Sequence, residues 1–426
     1  MNIMGLREKI KEGGLDATLT ELYGAEAAAA QRERYVNACT EFEKYFPEHH
    51  NVWLFSAPGR TEICGNHTDH QHGCVLAAAV DLDIIGIVAF NDENVIRVQS
   101  AGHNMNVVNI SDLAPQKNEE GTSDALIRGM AAGFRSRGLN IGGFDAYTTS
   151  NVLGGSGLSS SAAFEVLIGT IIDRHYNNGK AGAIEIAKMG QLAENAYFGK
   201  KSGLMDQTAS SVGSSVFIDF ENTSAPKVSA AKCDLEANGY ELFITDTKGS
   251  HADLSDEYSA IPSEMISVAK QLGREWLRAA DENEFWERLP ELRKICGDRS
   301  VLRAAHFFDE NRRAVNAAKA IENNDMQEFL RIVRESGESS ALLLQNLYAC
   351  KAPQEQGITT ALMMSRRLLG SEGAFRVHGG GFAGTIQAFV PKHLAETYRT
   401  GMDKLFGEGS CHKLRIRNCG GIEIEQ

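Results

Sequence analysis

The segment Gly154-Gly155-Ser156-Gly157-Leu158-Ser159-Ser160-Ser161-Ala162-Ala163 is the most informative stretch of this 426-residue chain. Its glycines allow the backbone to approach a ligand closely, and its serines supply short hydroxyl donors and acceptors. A helix is predicted to start near Ser160, so the unpaired N–H groups of its first turn would face the loop and favour an anion, usually phosphate. The segment is neither a Walker A motif nor G-x-G-x-x-G. The alternative is a flexible Gly/Ser linker, which rarely runs directly into an amphipathic helix.

A cluster of polar residues follows a strand predicted over residues 52–56. The turn-forming residues 57–59 are predicted to end this strand. Arg60, Glu62, His67 and Asp69 come next, and such a density of donors and paired acceptors is suited to holding several sugar hydroxyls.

Three histidines in the same stretch, His67, His70 and His72, leave a metal site open as an alternative. Transition metals favour imidazole, but no cysteine ligand ladder accompanies these residues. A polar surface turn is the simpler interpretation of His70 and His72.

Two acidic residues lie farther along the chain. Glu194 is near the end of a helix predicted over residues 183–198, and Asp206 follows on the next turn. Mg²⁺ often takes one or two carboxylates together with phosphate oxygens, and phosphoryl transfer benefits from a carboxylate that orients the attacking hydroxyl. The alternative is a pair of ordinary solvated side chains.

A second glycine-rich loop, residues 379–384, separates strands predicted over residues 374–377 and 385–390. A hairpin turn rarely needs so many glycines, so this loop is predicted to approach a ligand or another backbone closely. A bulged hairpin is the alternative.

The bulk composition restricts the class of protein. Lys and Arg total 43 against 56 Asp and Glu, a net charge of −13, which disfavours nucleic acid as a partner. The eight cysteines form no C-x-x-C pair, as expected for a reducing compartment, and no stretch approaches the ~20 apolar residues of a membrane span. We therefore expect a cytoplasmic protein with no membrane partner, a monomer by preference, with a dimer left open.

Four segments, taken in order, resemble the kinases named after galactokinase, homoserine kinase, mevalonate kinase and phosphomevalonate kinase (GHMP kinases), and among them galactokinase. The resemblance covers about residues 50–390. The matching segments are A-P-G-R at 57–60 with G-N-H-T-D-H at 65–70, G-S-G-L-S-S-S-A at 155–162, S-G-L-M-D-Q at 202–207, and H-G-G-G-F-A-G at 378–384.

The resemblance implies an α/β (α+β) fold of two domains with the active site in the cleft between them. Residues 1–225 would form a ribosomal-protein-like domain, and residues 226–426 a ferredoxin-like domain with extra helices. The second domain would bring the late glycine loop against the phosphate loop.

The resemblance also implies roles for the matching residues. Asp206 would be the catalytic base or the anchor of the attacking hydroxyl, with Arg60 paired to it, while Ser160 and Glu194 would bind Mg²⁺. The implied sugar contacts are Asn66, His67, Asp69, Gly203, Tyr258 and Glu62. The implied ATP-binding residues are Gly155, Ser156, Gly157, Leu158, Ser159, Ser160, Ser161, Gly380 and Gly381.

The expected reaction is ATP-dependent phosphorylation of the anomeric hydroxyl of galactose, giving galactose 1-phosphate. Asn66 stands where the family has glutamate, His70 where it has tyrosine, and an arginine pair after Tyr258 is missing. Galacturonate, N-acetylgalactosamine and arabinose are therefore alternative substrates. A non-catalytic sugar- and ATP-binding regulator is the rival from another class, and a mevalonate-type kinase is disfavoured by H-T-D and Tyr258.

Overall fold

The computed structural model describes residues 1–152, 157–200, 202–232, 234–249 and 254–424, which contain two β-sheets flanked by helices. The first sheet has the order β12-β1-β2-β5-β3-β4, with β6 beside the first half of β2 and β7 beside β6. Its pairs are antiparallel except for β3 with β5. The strands are β1 (Trp53–Cys64), β2 (Cys74–Asn91), β3 (Val95–Ser100), β4 (Asn106–Asn109), β5 (Gly143–Ser150), β6 (Ser215–Asp219), β7 (Lys227–Ala231) and β12 (Ile422–Ile424).

The second sheet is antiparallel and has the order β11-β8-β10-β9. Its strands are β8 (Tyr240–Asp246), β9 (Ala374–Val377), β10 (Thr385–Pro391) and β11 (Cys411–Leu414). The strands predicted on either side of the late glycine loop are thereby confirmed as β9 and β10.

Helices cover both sheets, and the counts that follow refer to the α-helices of the described residues. Seven accompany the first sheet: α1 (Ile3–Lys11), α2 (Asp16–Tyr23), α3 (Ala28–Tyr45), α4 (Ser123–Ser136), α5 (Ser160–Asn177), α6 (Gly182–Leu192) and α7 (Met205–Val212). Seven more follow β8: α8 (Ser255–Gln271), α9 (Glu282–Glu287), α10 (Leu289–Cys296), α11 (Asp298–Glu322), α12 (Met326–Ser339), α13 (Gly357–Leu369) and α14 (Ala395–Phe406). None of the helices in the described ranges is both long enough and apolar enough to cross a membrane.

The first sheet is buried on both faces, which explains the nearly continuous apolar sequence of β2. Successive side chains of a strand point to opposite faces. Ile84 and Val88 join the core formed with α4 and α5, whereas Ile85 and Ile87 join the core beneath α1–α3. This two-sided burial holds β1 and β2, and with them the residues that follow their ends, in fixed positions.

The break predicted at residues 57–59 is wrong, because β1 continues through it to Cys64. A register shift between Pro58 and Arg60 accommodates the proline within the strand. Gly59 is required here, since a Cβ at this position would lie 3.0 Å from the Leu158 carbonyl oxygen. The strand therefore passes directly under the glycine-serine loop.

The alternation of apolar and polar residues over 413–425 predicts a terminal hairpin, and this prediction is also wrong. β11 pairs with β8 in the second sheet, while β12 pairs with β1 in the first. The chain thus returns to its first sheet at the end. Since β7 still pairs with β6 in the first sheet, we propose that the division between the two domains lies between β7 and β8.

Candidate active site

A carboxylate, a guanidinium and a hydroxyl meet at the start of α7. Asp206 accepts hydrogen bonds from Arg60 Nε (2.8 Å) and Ser159 Oγ (2.7 Å), and Arg60 Nη1 donates to the Gly157 carbonyl. Burial raises the pKa of Asp206, but the charge of Arg60 and these hydrogen bonds outweigh it and hold that pKa below its usual value. The carboxylate is therefore ionised at neutral pH, beside the glycine-serine loop.

The described part of the glycine-serine loop, residues 157–161, is shaped by two residues in the left-handed region, Gly157 (φ 74°) and Ser159 (φ 57°). Ser159 occupies the N-cap position of α5, but its hydroxyl donates to Asp206 and does not cap the helix. The positive end of this 18-residue helix therefore faces the site, as an anion cradle requires. The Leu158 carbonyl accepts from the Arg60 N–H (3.1 Å). Three residues of the loop, Gly154 and the predicted ATP-binding residues Gly155 and Ser156, lie outside the described residues.

Glu194 is buried (2% exposed) in a π-helical turn, Ala193–Phe198, that continues α6. Its carboxylate accepts from Ser161 Oγ (2.8 Å), Lys200 Nζ (3.0 Å) and Gln207 Nε2 (3.1 Å). Such π-helical turns often occur at functional sites. The hydroxyl in contact with Glu194 belongs to Ser161, whereas the predicted Mg²⁺ ligand Ser160 is the exposed first residue of α5.

Asp69 and Gly203 face each other on the other side of Asp206. A Cβ at Gly203 would overlap Asp69 Oδ2, so a side chain at this position would force the Asp69 carboxylate to turn away. Burial raises the pKa of Asp69, and the negative charge of Asp206 adds to the effect. Asp69 and Asp206 therefore lie near each other, and we take this region as the candidate sugar pocket, because two carboxylates can accept hydrogen bonds from a polyhydroxylated ligand.

His67 lies next to this pocket at a backbone φ of 58°, in the left-handed region. Its Nε2 is 3.0 Å from the carbonyl oxygen of Gly380, in the late glycine loop. His72, by contrast, stacks on Trp276 with ring centroids 4.6 Å apart. His67 and His70 therefore lie against each other, whereas His72 has separate surroundings.

Glu62 and Asn66, two of the predicted sugar contacts, lie in a buried network of hydrogen bonds. Asn66 Nδ2 donates to Glu62 Oε1 (3.0 Å) and to the Gly379 carbonyl (2.8 Å), while its Oδ1 accepts from Asn346 Nδ2 (2.9 Å). Glu62 forms an ion pair with Arg376 (2.9 Å). Because protein groups occupy both ends of the Asn66 amide, we propose a supporting role for Glu62 and Asn66 behind the sugar site.

The late glycine loop is packed so tightly that side chains would not fit. A Cβ at Gly380 would lie 2.6 Å from the ring of Tyr258, and one at Gly381 would overlap the Asn346 carbonyl. Tyr258 Oη donates to the Gly381 carbonyl (2.9 Å). On the opposite side, a Cβ at Gly157 would lie 3.2 Å from His378 Nδ1. The loop is thus wedged between Tyr258 and the phosphate loop, and the expected approach of the two glycine-rich segments is observed.

Helix α11 supplies a support that sequence reasoning missed. Glu310 Oε1 accepts from the Gly65 N–H (2.9 Å) and Ser336 Oγ (2.6 Å), and His306 Nε2 lies 3.0 Å from the Asn66 carbonyl. Both residues are fully buried. The signal in the sequence is weak, because it consists only of two ionisable residues spaced one turn apart in a long helix.

Two family models match the chain. The galactokinase galactose-binding signature covers residues 40–90, and the GHMP kinase N-terminal domain covers residues 125–214.

Similar folds occur among solved structures. Galactokinase from Lactococcus lactis, in complex with galactose, has 21% identity and a TM-score of 0.76, with 90% of this chain and 98% of that chain covered. Mevalonate kinase from Methanococcus jannaschii has 15% identity and a TM-score of 0.60, with 86% and 98% covered. A D-glycero-D-manno-heptose 1-phosphate kinase from Bacteriodes thetaiotaomicron has 16% identity and a TM-score of 0.59, with 88% and 99% covered.

The two matched family models and the shared two-domain α/β fold identify the chain as similar to the GHMP kinases, which use ATP. The expected fold class is thereby confirmed. Within the superfamily the chain carries the galactokinase galactose-binding signature, so it is a galactokinase-like sugar kinase.

Proposed function

We propose that this kinase transfers the terminal phosphoryl group of ATP to the anomeric hydroxyl of galactose. The observation that carries the proposal is the ionised Asp206, held between Arg60 and Ser159 beside the phosphate loop. Asp69 and Gly203 lie in close contact nearby and would line the sugar pocket. A sugar in that pocket would present a hydroxyl between Asp206 and a phosphate seated at α5.

Positioning and charge stabilisation would supply most of the catalysis. Asp206 would accept the hydrogen bond of the attacking hydroxyl and take its proton as transfer proceeds, or fix its direction. Arg60 reaches both Asp206 and the loop carbonyl of Gly157, which supports a role for its guanidinium in stabilising the negative charge that would develop during transfer. Gly157–Ser161 and the loop at Gly380 and Gly381 would surround the phosphates.

The donor set near Glu194 is suited to Mg²⁺, which prefers oxygen ligands and often takes few carboxylates. Glu194, together with a hydroxyl from Ser160 or Ser161, would hold the ion, since the Ser161 hydroxyl already lies 2.8 Å from that carboxylate. When bound, the ion neutralises charge on the ATP phosphates. Gln207 holds Glu194 in place from the buried side (3.1 Å).

The surroundings of the pocket favour a neutral sugar over galacturonate. A sugar carboxylate would be added to a site that already contains Asp69 and Asp206, and like charges repel at short range. Among the described residues, the nearby cations are already paired: Arg60 with Asp206, Lys200 with Glu194, and Arg376 with Glu62. The amide at position 66 does not offset this, because protein groups occupy both of its ends.

A substrate panel tests the proposal. Purified enzyme with ATP and Mg²⁺ is assayed on galactose, galacturonate, N-acetylgalactosamine and arabinose, and kcat/KM is compared. We expect galactose to rank first and galacturonate last. A higher rank for any other sugar would reassign the substrate, and binding of ATP and galactose without product would support the regulator.

The first mutational prediction concerns Asp206. Asp206→Asn keeps the shape of the side chain but removes its charge, so kcat should fall about 10²–10⁴-fold, the range of general acid–base catalysis. ATP binding, measured by calorimetry, should stay within about twofold, since Asp206 faces the sugar side. Asp112→Asn, on an exposed loop, is the matched control. Full turnover in Asp206→Asn would remove this residue from the mechanism.

A further inference from the structure

His67 and His70 form a hydrogen-bonded pair inside the turn that carries Asp69. His67 Nδ1 lies 3.1 Å from His70 Nε2, and the ring centroids are 5.3 Å apart at 51°. His67 Nε2 lies 3.0 Å from the Gly380 carbonyl oxygen. A single chain of contacts therefore runs from His70 through His67 to the late glycine loop.

The order of hydrogens along this chain follows from the carbonyl at its end. Burial lowers the pKa of His67 to about 3 and that of His70 to about 4, so each ring is neutral and carries one hydrogen at pH 7. A carbonyl oxygen can only accept, hence the hydrogen of His67 is on Nε2 and its Nδ1 is an acceptor. His70 must then donate from Nε2, which leaves its Nδ1 bare.

The surroundings of His70 agree with this assignment. His70 Nδ1 is a buried atom for which the described residues provide no hydrogen-bond partner. An acceptor without a partner is the nitrogen that the tautomer argument leaves without a hydrogen. In the opposite assignment, the lone pair of His67 Nε2 would face the lone pairs of the Gly380 carbonyl oxygen. The hydrogen of His70 would then be on Nδ1, where no acceptor is found among the described residues.

We propose that His70 is a positioning residue, which fixes the tautomer and rotation of His67 and so ties the sugar-binding turn to the glycine loop at Gly380. Both nitrogens of His67 are used by protein groups, so this ring forms a fixed wall of the pocket. The residues next to His67, chiefly Asp69, would then make the hydrogen bonds to the sugar.

The inference rests on the proposed sugar-kinase function and concerns a position where the chain has histidine and galactokinases have tyrosine. In this geometry, residue 70 must carry a hydrogen-bond donor that reaches the Nδ1 atom of His67. The substitution His70→Gln would retain such a donor, whereas His70→Phe would keep an aromatic ring but lose the donor.

Two variants and two controls test the proposal. His70→Phe should raise KM for the best sugar of the panel about tenfold, the effect of one lost hydrogen bond to a buried group. KM for ATP and kcat should stay within about twofold, and His70→Gln should restore most of the sugar KM. His72→Phe and His72→Gln, in the same turn but stacked on Trp276, should match the parent protein.

A spectroscopic measurement keeps the test independent of activity. With ¹⁵N-labelled histidine, the ring-nitrogen shifts of His67, assigned by comparison with His67→Gln, should show a hydrogen on Nε2 at pH 7 in the parent and in His70→Gln. A hydrogen on Nδ1 of His67 in the parent would overturn the proposal. So would an unchanged sugar KM in His70→Phe, or parallel losses for sugar and ATP that His70→Gln does not restore.

The spectrum also separates this inference from the proposed function. If no sugar of the panel is phosphorylated, the proposed function fails, and the His67 tautomer still reports whether His70 positions the ring. If His70→Phe does not fold, His70→Gln and the parent spectrum decide the question.

Discussion

Arg60 contacts three parts of the candidate site with one side chain and its own backbone. Its Nε and Nη2 hold Asp206 (2.8 and 2.7 Å), its Nη1 donates to the Gly157 carbonyl, and its N–H donates to the Leu158 carbonyl. The planar guanidinium of arginine carries several N–H donors that can contact two acceptors at once. The single ammonium group of lysine does not reproduce this geometry. Arg60 therefore sets the distance between the carboxylate and the phosphate loop.

The substitution Arg60→Lys tests whether Arg60 sets the distance between Asp206 and the phosphate loop. The charge is retained, but the fork that joins Asp206 to Gly157 is lost, so kcat should fall about 10²–10³-fold, as when one preorganised donor at a transition state is removed. Steady-state kinetics on the best sugar of the panel measures the loss. Arg137→Lys, where an exposed arginine pairs with Glu185, should leave kcat unchanged. Equal activity of Arg60→Lys and the parent would show that charge alone is sufficient.

Helix α11 acts as a support for the sugar-binding turn. His306 and Glu310 lie one turn apart, and they bind opposite sides of the same peptide region, the Asn66 carbonyl and the Gly65 N–H. Burial raises the pKa of Glu310, but the nearby His306, Arg376 and Arg313 outweigh it and leave the pKa well below its usual value. Helix α11 therefore holds the sugar-binding turn in place through the ionised, fully buried carboxylate of Glu310.

Glu310→Ala removes that carboxylate, leaves the Gly65 N–H without this acceptor, and takes from Arg313 its nearer partner (2.9 Å, against 3.7 Å to Asp309). Breaking a buried charge pair by removing one member costs about 3–5 kcal/mol. We expect a loss of this size in the free energy of unfolding, measured by urea denaturation. Glu322→Ala, at the exposed end of the same helix, should change stability by less than about 0.5 kcal/mol. Similar losses in both variants would contradict the role assigned to Glu310.

At the scale of the whole molecule, the distant contacts that were expected are those implied by the family resemblance, such as Arg60 with Asp206, and the other distant contacts were missed. Arg60 and Asp206 could be named because each lies in a short segment with its own chemistry, and the structure brings them together. The surroundings of Asn66 could not be predicted. Its partners Gly379 and Asn346 lie 313 and 280 positions away, and only the packing of the two sheets brings them to the same place.

The difficulty of predicting distant partners also explains why the hairpin indicated by residues 413–425 is not found. Alternation in residues 413–425 fits a hairpin, but periodicity does not reveal which sheet a short strand joins. The crossing from β11 to β12 runs along β2: Asp81 N–H donates to the Arg415 carbonyl, and Arg417 N–H donates to the Ala79 carbonyl. Arg417 is fully buried and pairs with Asp83 (3.1 Å). The tail thus fastens the second domain to the first.

Asp81 makes this crossing sensitive to pH. Its carboxylate accepts from the Arg415 N–H (2.9 Å), and burial raises its pKa to about 7. A group whose pKa is higher in the folded than in the unfolded protein contributes stability that is present below the unfolded value, about 3.9 for Asp. That contribution is lost as the pH rises through about 7, because the folded protein must then hold a buried charge.

Asp81→Asn keeps the acceptor for Arg415 and removes the titration. Relative to the parent, the variant should therefore gain stability as the pH rises from 4 to 7, by up to about 1.4 kcal/mol for each pH unit, and the difference should level off above pH 7. Urea denaturation at pH 5, 6, 7 and 8 measures it. Asp92→Asn, at the exposed turn after β2, should stay within about 0.5 kcal/mol of the parent throughout. A difference between Asp81→Asn and the parent that does not vary with pH would mean that Asp81 is ionised in the folded protein across this range, and that the crossing tolerates its charge.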